Sequence, residues 1–124
     1  MDKKNYFILI VDDSILIRRL IRITLNQIDH LKINFSEASD GKKAFELLNH
    51  QKPDLIITDY NMPEMNGLEL IFELQADDVF NSIPIILMTS DDDYDFSNNP
   101  DFLYIKKPFV KEHLIETVSG ILKP

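Results

Sequence analysis

Residues 54–67 read Asp54-Leu55-Ile56-Ile57-Thr58-Asp59-Tyr60-Asn61-Met62-Pro63-Glu64-Met65-Asn66-Gly67. Leu55-Ile56-Ile57 is a short apolar run rich in β-branched residues, the pattern of a strand buried on both faces of a parallel sheet. The run stops at Asp59. Beyond it Asn61, Pro63, Asn66 and Gly67 are turn residues and prevent the strand from continuing. A carboxylate at the carboxyl end of a buried strand, heading a rigid loop, stands where α/β sheets bind their ligands. Asp59 could instead be a plain cap of the strand end, so its weight depends on the acids and bases elsewhere in the chain.

The same strand-then-turn pattern recurs outward in both directions. Toward the N-terminus, Tyr6 to Val11 reads as a first buried strand closed by Asp12-Asp13. Ser14 can cap a helix predicted over 15–28. On a 100° wheel Ile17, Leu20, Ile21, Leu25 and Ile28 are expected to face the sheet, with Arg18, Arg19, Arg22 and Asn26 opposite. Ile15 falls among the arginines. Ile33 and Phe35 alternate with polar neighbours, which predicts a more exposed second strand through about Glu37. Ser39-Asp40-Gly41 then precedes a helix carrying Ala44, Phe45, Leu47 and Leu48.

Toward the C-terminus, Asn66-Gly67 opens a helix with Leu68, Leu70, Ile71 and Leu74 as its apolar set. Residues 84–88 form a fourth buried strand that ends at Thr89-Ser90, and 102–105 a fifth that ends at Lys106-Lys107-Pro108. An amphipathic helix over about 110–122 closes the pattern. Strands alternate with helices throughout, so the class is α/β with a parallel sheet.

A length of 124 residues suits one domain. The net charge of −8 disfavours direct contact with nucleic acid or an anionic membrane. The absence of Cys excludes disulfides, thiolate metal sites and cysteine nucleophiles. The first apolar run is too short for a signal-peptide core or a membrane span, so the expected compartment is the cytosol.

In a parallel sheet the carboxyl ends of all strands share one edge. Asp12 and Asp13, Asp59, Thr89 and Lys107 therefore converge, although they are spread over most of the chain. Carboxylates brought together repel, and burial raises their pKa values unless a cation is near. Mg²⁺ answers this need, because it takes oxygen ligands, keeps several waters, and binds one or two carboxylates plus a phosphate oxygen. With Lys107 as a second positive charge and Thr89 as a hydroxyl donor, the set suits in-line phosphoryl transfer onto a carboxylate.

These residues resemble a family. Val11-Asp12-Asp13-Ser14, Asp59-Tyr60-Asn61-Met62-Pro63-Glu64-Met65-Asn66-Gly67, Met88-Thr89-Ser90 and Lys107-Pro108-Phe109 resemble the motifs of response-regulator receiver domains in two-component signalling, the single-domain chemotaxis type being nearest in layout. The resemblance implies a flavodoxin-like, doubly wound sheet of five parallel strands in the order 2-1-3-4-5, with helices on both faces. It implies that Asp59 accepts phosphate from a sensor histidine kinase or a histidine phosphotransfer protein, so the chain is not an enzyme acting on a separate substrate. It implies Mg²⁺ held by Asp13, Asp59 and the Asn61 backbone carbonyl, with Asp12 acting mainly through water. Thr89 would hold the phosphoryl group, Lys107 would pair with it, and Tyr104 would turn inward with Thr89 as the switch. Lys107 is preferred to Lys106 because the family's lysine directly precedes the proline, often through a cis bond.

Three expectations go further. The first helix is expected to dock the phosphodonor through Ile15 and Arg18, with Ser14 and Ile17 added by the resemblance. No effector domain is visible after the last helix, so 1–124 is expected to be one receiver domain without an output domain. Residues 91–101 carry no helical apolar stripe and include Asn98-Asn99-Pro100, so the helix a receiver normally has there is expected to be shortened or missing. Three rival readings compete. A flavin-binding module of similar topology would have to cradle a phosphate in its first loop, where Asp12-Asp13 would repel one. A haloacid-dehalogenase-type phosphatase would want a second Asp where Asn61 stands, and loss of that acid favours a long-lived phosphoaspartate. A receiver-like module kept only for interaction would be expected to lack a key acid or the lysine, and none is missing.

Overall fold

A computed structural model describes residues 4–90 and 102–122 of the chain. Its elements are β1 (Asn5–Val11), α1 (Ile15–Leu25), β2 (Lys32–Ala38), α2 (Gly41–Leu48), β3 (Leu55–Asp59), α3 (Gly67–Gln75), β4 (Ile85–Thr89), β5 (Leu103–Lys106) and α4 (Lys111–Ile121). The five strands form one sheet in the order β2-β1-β3-β4-β5, every neighbouring pair parallel. The expected flavodoxin-like order is therefore present, with four helices among the described residues. The expectation for residues 91–101 lies outside the described residues.

Side chains that alternate along the strands build two cores, one on each face of the sheet. Ile8, Ile10, Ile57, Ile86 and Met88 meet Ile21 and Leu25 of α1 and Leu114 and Val118 of α4. Leu9, Val11, Ile56 and Leu87 meet Ala44 and Leu48 of α2 and Leu70, Ile71 and Leu74 of α3. Burial on both sides is why β1, β3 and β4 read as unbroken apolar runs, and each such side chain contributes about 1.5–3 kcal/mol by leaving water.

Local chemistry starts the helices where the strands need to turn back. Ser14 Oγ accepts from Ile17 N, Asp40 Oδ1 from Lys43 N, and Asn66 Oδ1 from Glu69 N. Glu69 completes a capping box by accepting from Asn66 N. Helix α1 is shorter than the predicted 15–28. Thr24 Oγ1 donates back to Leu20 O, and tighter bonds from Gln27 N to Thr24 O and Ile28 N to Leu25 O end the α-helix. Ile28 still reaches the core from the turn that follows.

Leu20 is a correction, since it is 42% exposed rather than packed on the sheet. Neighbours on a helix point 100° apart, so Leu20 cannot share the centre of the face with Ile21, and Thr24 fills the buried position instead.

Candidate functional site

β1, β3 and β4 run parallel in adjacent positions, so their carboxyl ends deliver Asp12, Asp59 and Thr89 to one edge. Asp12 N donates to Ala38 O at 3.0 Å, and Tyr60 N to Met88 O at 2.8 Å, so the backbone just past each strand end is still held by its neighbour. β5 ends at Lys106, and Lys107 N donates to Thr89 O at 2.8 Å before a cis Lys107–Pro108 peptide. The Lys107 side chain reaches back over the edge. Its Nζ lies 2.9 Å from Asp12 Oδ2 and 2.9 Å from Asp59 Oδ1. Asp12 Oδ1 in turn accepts from Ser14 N at 2.9 Å.

Asp12, Asp13 and Asp59 each offer a carboxylate oxygen, and these lie within 4.8 Å of one another. Asp12 and Asp59 are buried and Asp13 is exposed, so the cluster opens to solvent on the Asp13 side. Asp59 is only 6% exposed. Burial pushes its pKa up, the Lys107 hydrogen bond pulls it back, and the charges of Asp12 and Asp13 push it up again, leaving it above the usual carboxylate value. Burial alone would depress the Lys107 ammonium. The hydrogen bonds to Asp59 and Asp12 more than offset this and raise it. One ammonium thus sits between two carboxylates, with a third acid beside them, a set still short of positive charge. A hard divalent ion fits that deficit. The three oxygens are close enough together to serve one such ion, directly or through its waters.

The other expected site residues fall as follows. Thr89 is buried at the end of β4, and strand alternation puts it on the same sheet face as Leu87. Tyr104 pairs with Leu87 across β4–β5 and packs half-buried on that face, so Thr89 and Tyr104 share a side. Asn61 is exposed in the loop between β3 and α3. Gly67 closes that loop by donating from its N–H to Tyr60 O at 2.8 Å. Ile15 is exposed, Ser14 and Ile17 are half-buried, and Ser14 is committed to capping α1.

Arg18 does not stand free on the outer face as the wheel placed it. Its Nε donates to Glu37 Oε1 at 2.9 Å and one terminal nitrogen to Asp12 O at 2.6 Å. Sequence reasoning missed Glu37, and it also missed Leu16 and Ile23, which are exposed on α1 together with Leu20. The spacing of four between Arg18 and Arg22 was the available signal, since it stacks two cations on one helix face where an acid from β2 can reach both.

A doubly wound parallel sheet with three carboxylates and a lysine gathered on its carboxyl edge is the arrangement expected of a phosphoacceptor-type signalling domain. Residues 8–119 match the family described as "Response regulator receiver domain", and the chain belongs to that family. It is 36% identical to a "Chemotaxis protein CheY homolog" of Campylobacter jejuni, over 93% of this chain and 91% of that protein. It is 37% identical to "Chemotaxis protein CheY1" of Helicobacter pylori, over 93% and 95% respectively. Among solved structures, the chemotaxis response regulator CheY4 of Vibrio cholerae matches with a TM-score of 0.77 and 26% identity, covering 96% of this chain and all of that one, 100%. Neither the phosphatase reading nor the interaction-only reading finds support in these matches. No helix among the described residues is long and apolar enough to cross a membrane.

Proposed function

We propose that this receiver takes a phosphoryl group from a phosphohistidine onto Asp59. The observation that carries the reading is the burial of Asp59 at a strand end, 2.9 Å from Lys107 and grouped with Asp12 and Asp13. An Asp59 carboxylate oxygen attacks phosphorus in line, a P–O bond forms, and the P–N bond breaks. The imidazole nitrogen leaves with the electron pair and takes up a proton. Mg²⁺, when bound, supplies charge neutralisation for the phosphoryl oxygens. Asp13 and Asp59, with the Asn61 carbonyl, would hold it, and Asp12 would help through water. Lys107 orients the carboxylate it touches and is close enough to pair with the phosphoryl group. Thr89 and Tyr104, on one face of the sheet, pass the change on as a switch. In this reading residues 1–124 act as one cytoplasmic signalling unit that modifies itself and turns over no separate substrate.

The charge distribution supports approach of the donor along α1. From Pro53 to Ile105 the sequence contains no Lys, Arg or His. Arg19 and Arg22 stand on α1, and Lys107 and Lys111 border the hollow beside that helix, so this flank carries the charge that attracts a phosphorylated partner. Between α1 and the loop after β5 a hollow of about 290 Å³ is lined by Ile17, Leu20, Thr24, Lys107, Pro108 and Phe109. Ile15, Leu16 and Ile23 extend an exposed apolar surface along the same helix.

Two measurements test the parts. Mg²⁺ titration of the unphosphorylated protein should give weak saturable binding that Asp13→Ala removes; an unchanged isotherm for the variant would take Asp13 out of the ligand set. Ile15→Asp should slow transfer from a phosphorylated histidine phosphotransfer protein about tenfold while leaving labelling by acetyl phosphate unchanged. Equal transfer rates for parent and variant would place the donor elsewhere.

A further inference from the structure

We propose that Arg18 is a positioning residue of the acidic site, holding the peptide between Asp12 and Asp13 from behind. The inference rests on the Mg²⁺ reading given above for what that peptide positions.

Asp12 is tied down at every polar group. Its N–H donates to Ala38 O on β2, Oδ1 accepts from Ser14 N, and Oδ2 accepts from Lys107. Its carbonyl oxygen accepts from Arg18 at 2.6 Å, a short bond of the charge-assisted kind. That carbonyl belongs to the peptide plane whose other end is the Asp13 N–H. Because the plane is rigid, whatever fixes the Asp12 carbonyl also fixes where Asp13 begins. The Ser14 bond to Oδ1 spans Asp13 from the side chain, and the Arg18 bond acts directly on the peptide that links Asp12 to Asp13.

The guanidinium is itself held. Its side chain is 13% exposed, and Glu37 lies 2.9 Å from Nε. The second oxygen of Glu37 is 2.7 Å from Arg22. Burial pushes the Glu37 carboxyl up, but the hydrogen bonds of Arg22 and Arg18 outweigh it and keep the group below its usual value, so it is ionised at neutral pH. Glu37 sits opposite Ile10 in the β1–β2 register, two residues before Asp12. The chain of contacts therefore runs from β2 through Glu37 and Arg18 to the peptide behind the site. Arginine suits this task because its planar fork reaches a carboxylate and a carbonyl at once, which a lysine ammonium on a flexible stem cannot do in one fixed geometry.

Residues that orient metal ligands without touching the metal commonly change affinity by 10–100-fold when lost. Isothermal titration of Mg²⁺ into the parent, Arg18→Ala, Arg18→Lys and Arg22→Ala measures this here. Arg18→Ala should bind about tenfold more weakly and Arg18→Lys should recover part of the loss. Arg22→Ala removes a cation from Glu37 but leaves the Asp12 carbonyl bonded, so it should stay within about twofold of the parent. An Arg18→Ala variant with the parent's affinity, or an Arg22→Ala variant as weak as Arg18→Ala, would overturn the proposal. Amide hydrogen exchange on the metal-free proteins separates this from the metal reading. A parent that takes up no Mg²⁺ refutes that reading, and exchange at Asp12 and Asp13 then decides the present one. Faster exchange in Arg18→Ala but not in Arg22→Ala upholds the positioning role, and equal exchange in all variants ends it.

Discussion

Replacing Gly67 by alanine is expected to destabilise the protein by at least about 3 kcal/mol, more than alanine at either of the other two glycines. A Cβ at Gly67 would lie 2.2 Å from the Asp59 carbonyl oxygen, 2.8 Å from Leu87 Cδ1 and 3.0 Å from the Asp59 carbonyl carbon. The obstacle is backbone at the end of a central strand, where Asp59 is paired with Met88, and cannot swing aside like a side chain. Gly67 N must also stay 2.8 Å from Tyr60 O to close the loop. Relief of the clash therefore has to move Asp59 or unlatch the loop, so the variant should lose phosphoacceptor activity along with stability. Gly41 is milder, because its Cβ would meet Met65 Sδ at 2.7 Å, the far part of a flexible side chain. Gly120 on α4 has nothing within 4 Å, and alanine there should stabilise by about 0.5–1 kcal/mol. Urea denaturation of the three variants should rank them in that order. A Gly67→Ala protein within about 0.5 kcal/mol of the parent, on the scale of an ordinary surface change, would contradict the close approach of Gly67 to the Asp59 carbonyl.

Asp59→Asn should make the metal-free protein more stable, raising Tm by roughly 3–5 °C, the shift that about 1 kcal/mol gives in a domain of this size. The cause is the raised pKa of Asp59, where burial and the charges of Asp12 and Asp13 outweigh Lys107. The sign follows from which state ionises more easily. The unfolded carboxyl ionises near its usual 3.8 and the folded one only at higher pH, so ionisation favours unfolding. Below the usual value both states hold the proton and the penalty is absent. It develops as pH rises from there through the folded value, and is complete above it. Asparagine does not titrate, so the gap between variant and parent should open over that same window. Binding of Mg²⁺ to the folded parent, as proposed, should narrow the gap again. A variant less stable than the parent at neutral pH would mean that the Lys107–Asp59 ion pair outweighs burial and repulsion.

Most of the architecture was legible because it rests on long-range periodicity. Leu55-Ile56-Ile57 and residues 85–88 are too short and too uniformly apolar to be amphipathic helices, and each is followed by turn chemistry. The ends of such strands are then fixed to one edge by parallel topology, so Asp12, Asp13, Asp59 and Lys107 could be brought together without a distance in hand. What escaped was set by reach and by neighbours. Leu20 differs from Ile21 by one residue and 100°, and only the presence of Thr24 in the buried position settles which of the two faces inward. Arg18 projects from the polar side of the wheel, but its long side chain bends toward the Asp12 carbonyl and Glu37. Glu37 looked like one more polar residue of an exposed strand, because nothing in a single sequence says which acid stands opposite which helix.

The residue that carries the phosphate decides the role of Asp59. Incubation with acetyl phosphate and Mg²⁺, followed by intact-mass measurement and peptide mapping, tests this directly. The parent should gain one phosphate, labile to acid and base as an acyl phosphate is, carried on the peptide containing Asp59; the Asp59→Asn protein should gain none. An acid-stable phosphate, or normal labelling of the Asp59→Asn variant at another residue, would contradict the assignment of Asp59 as the phosphoacceptor.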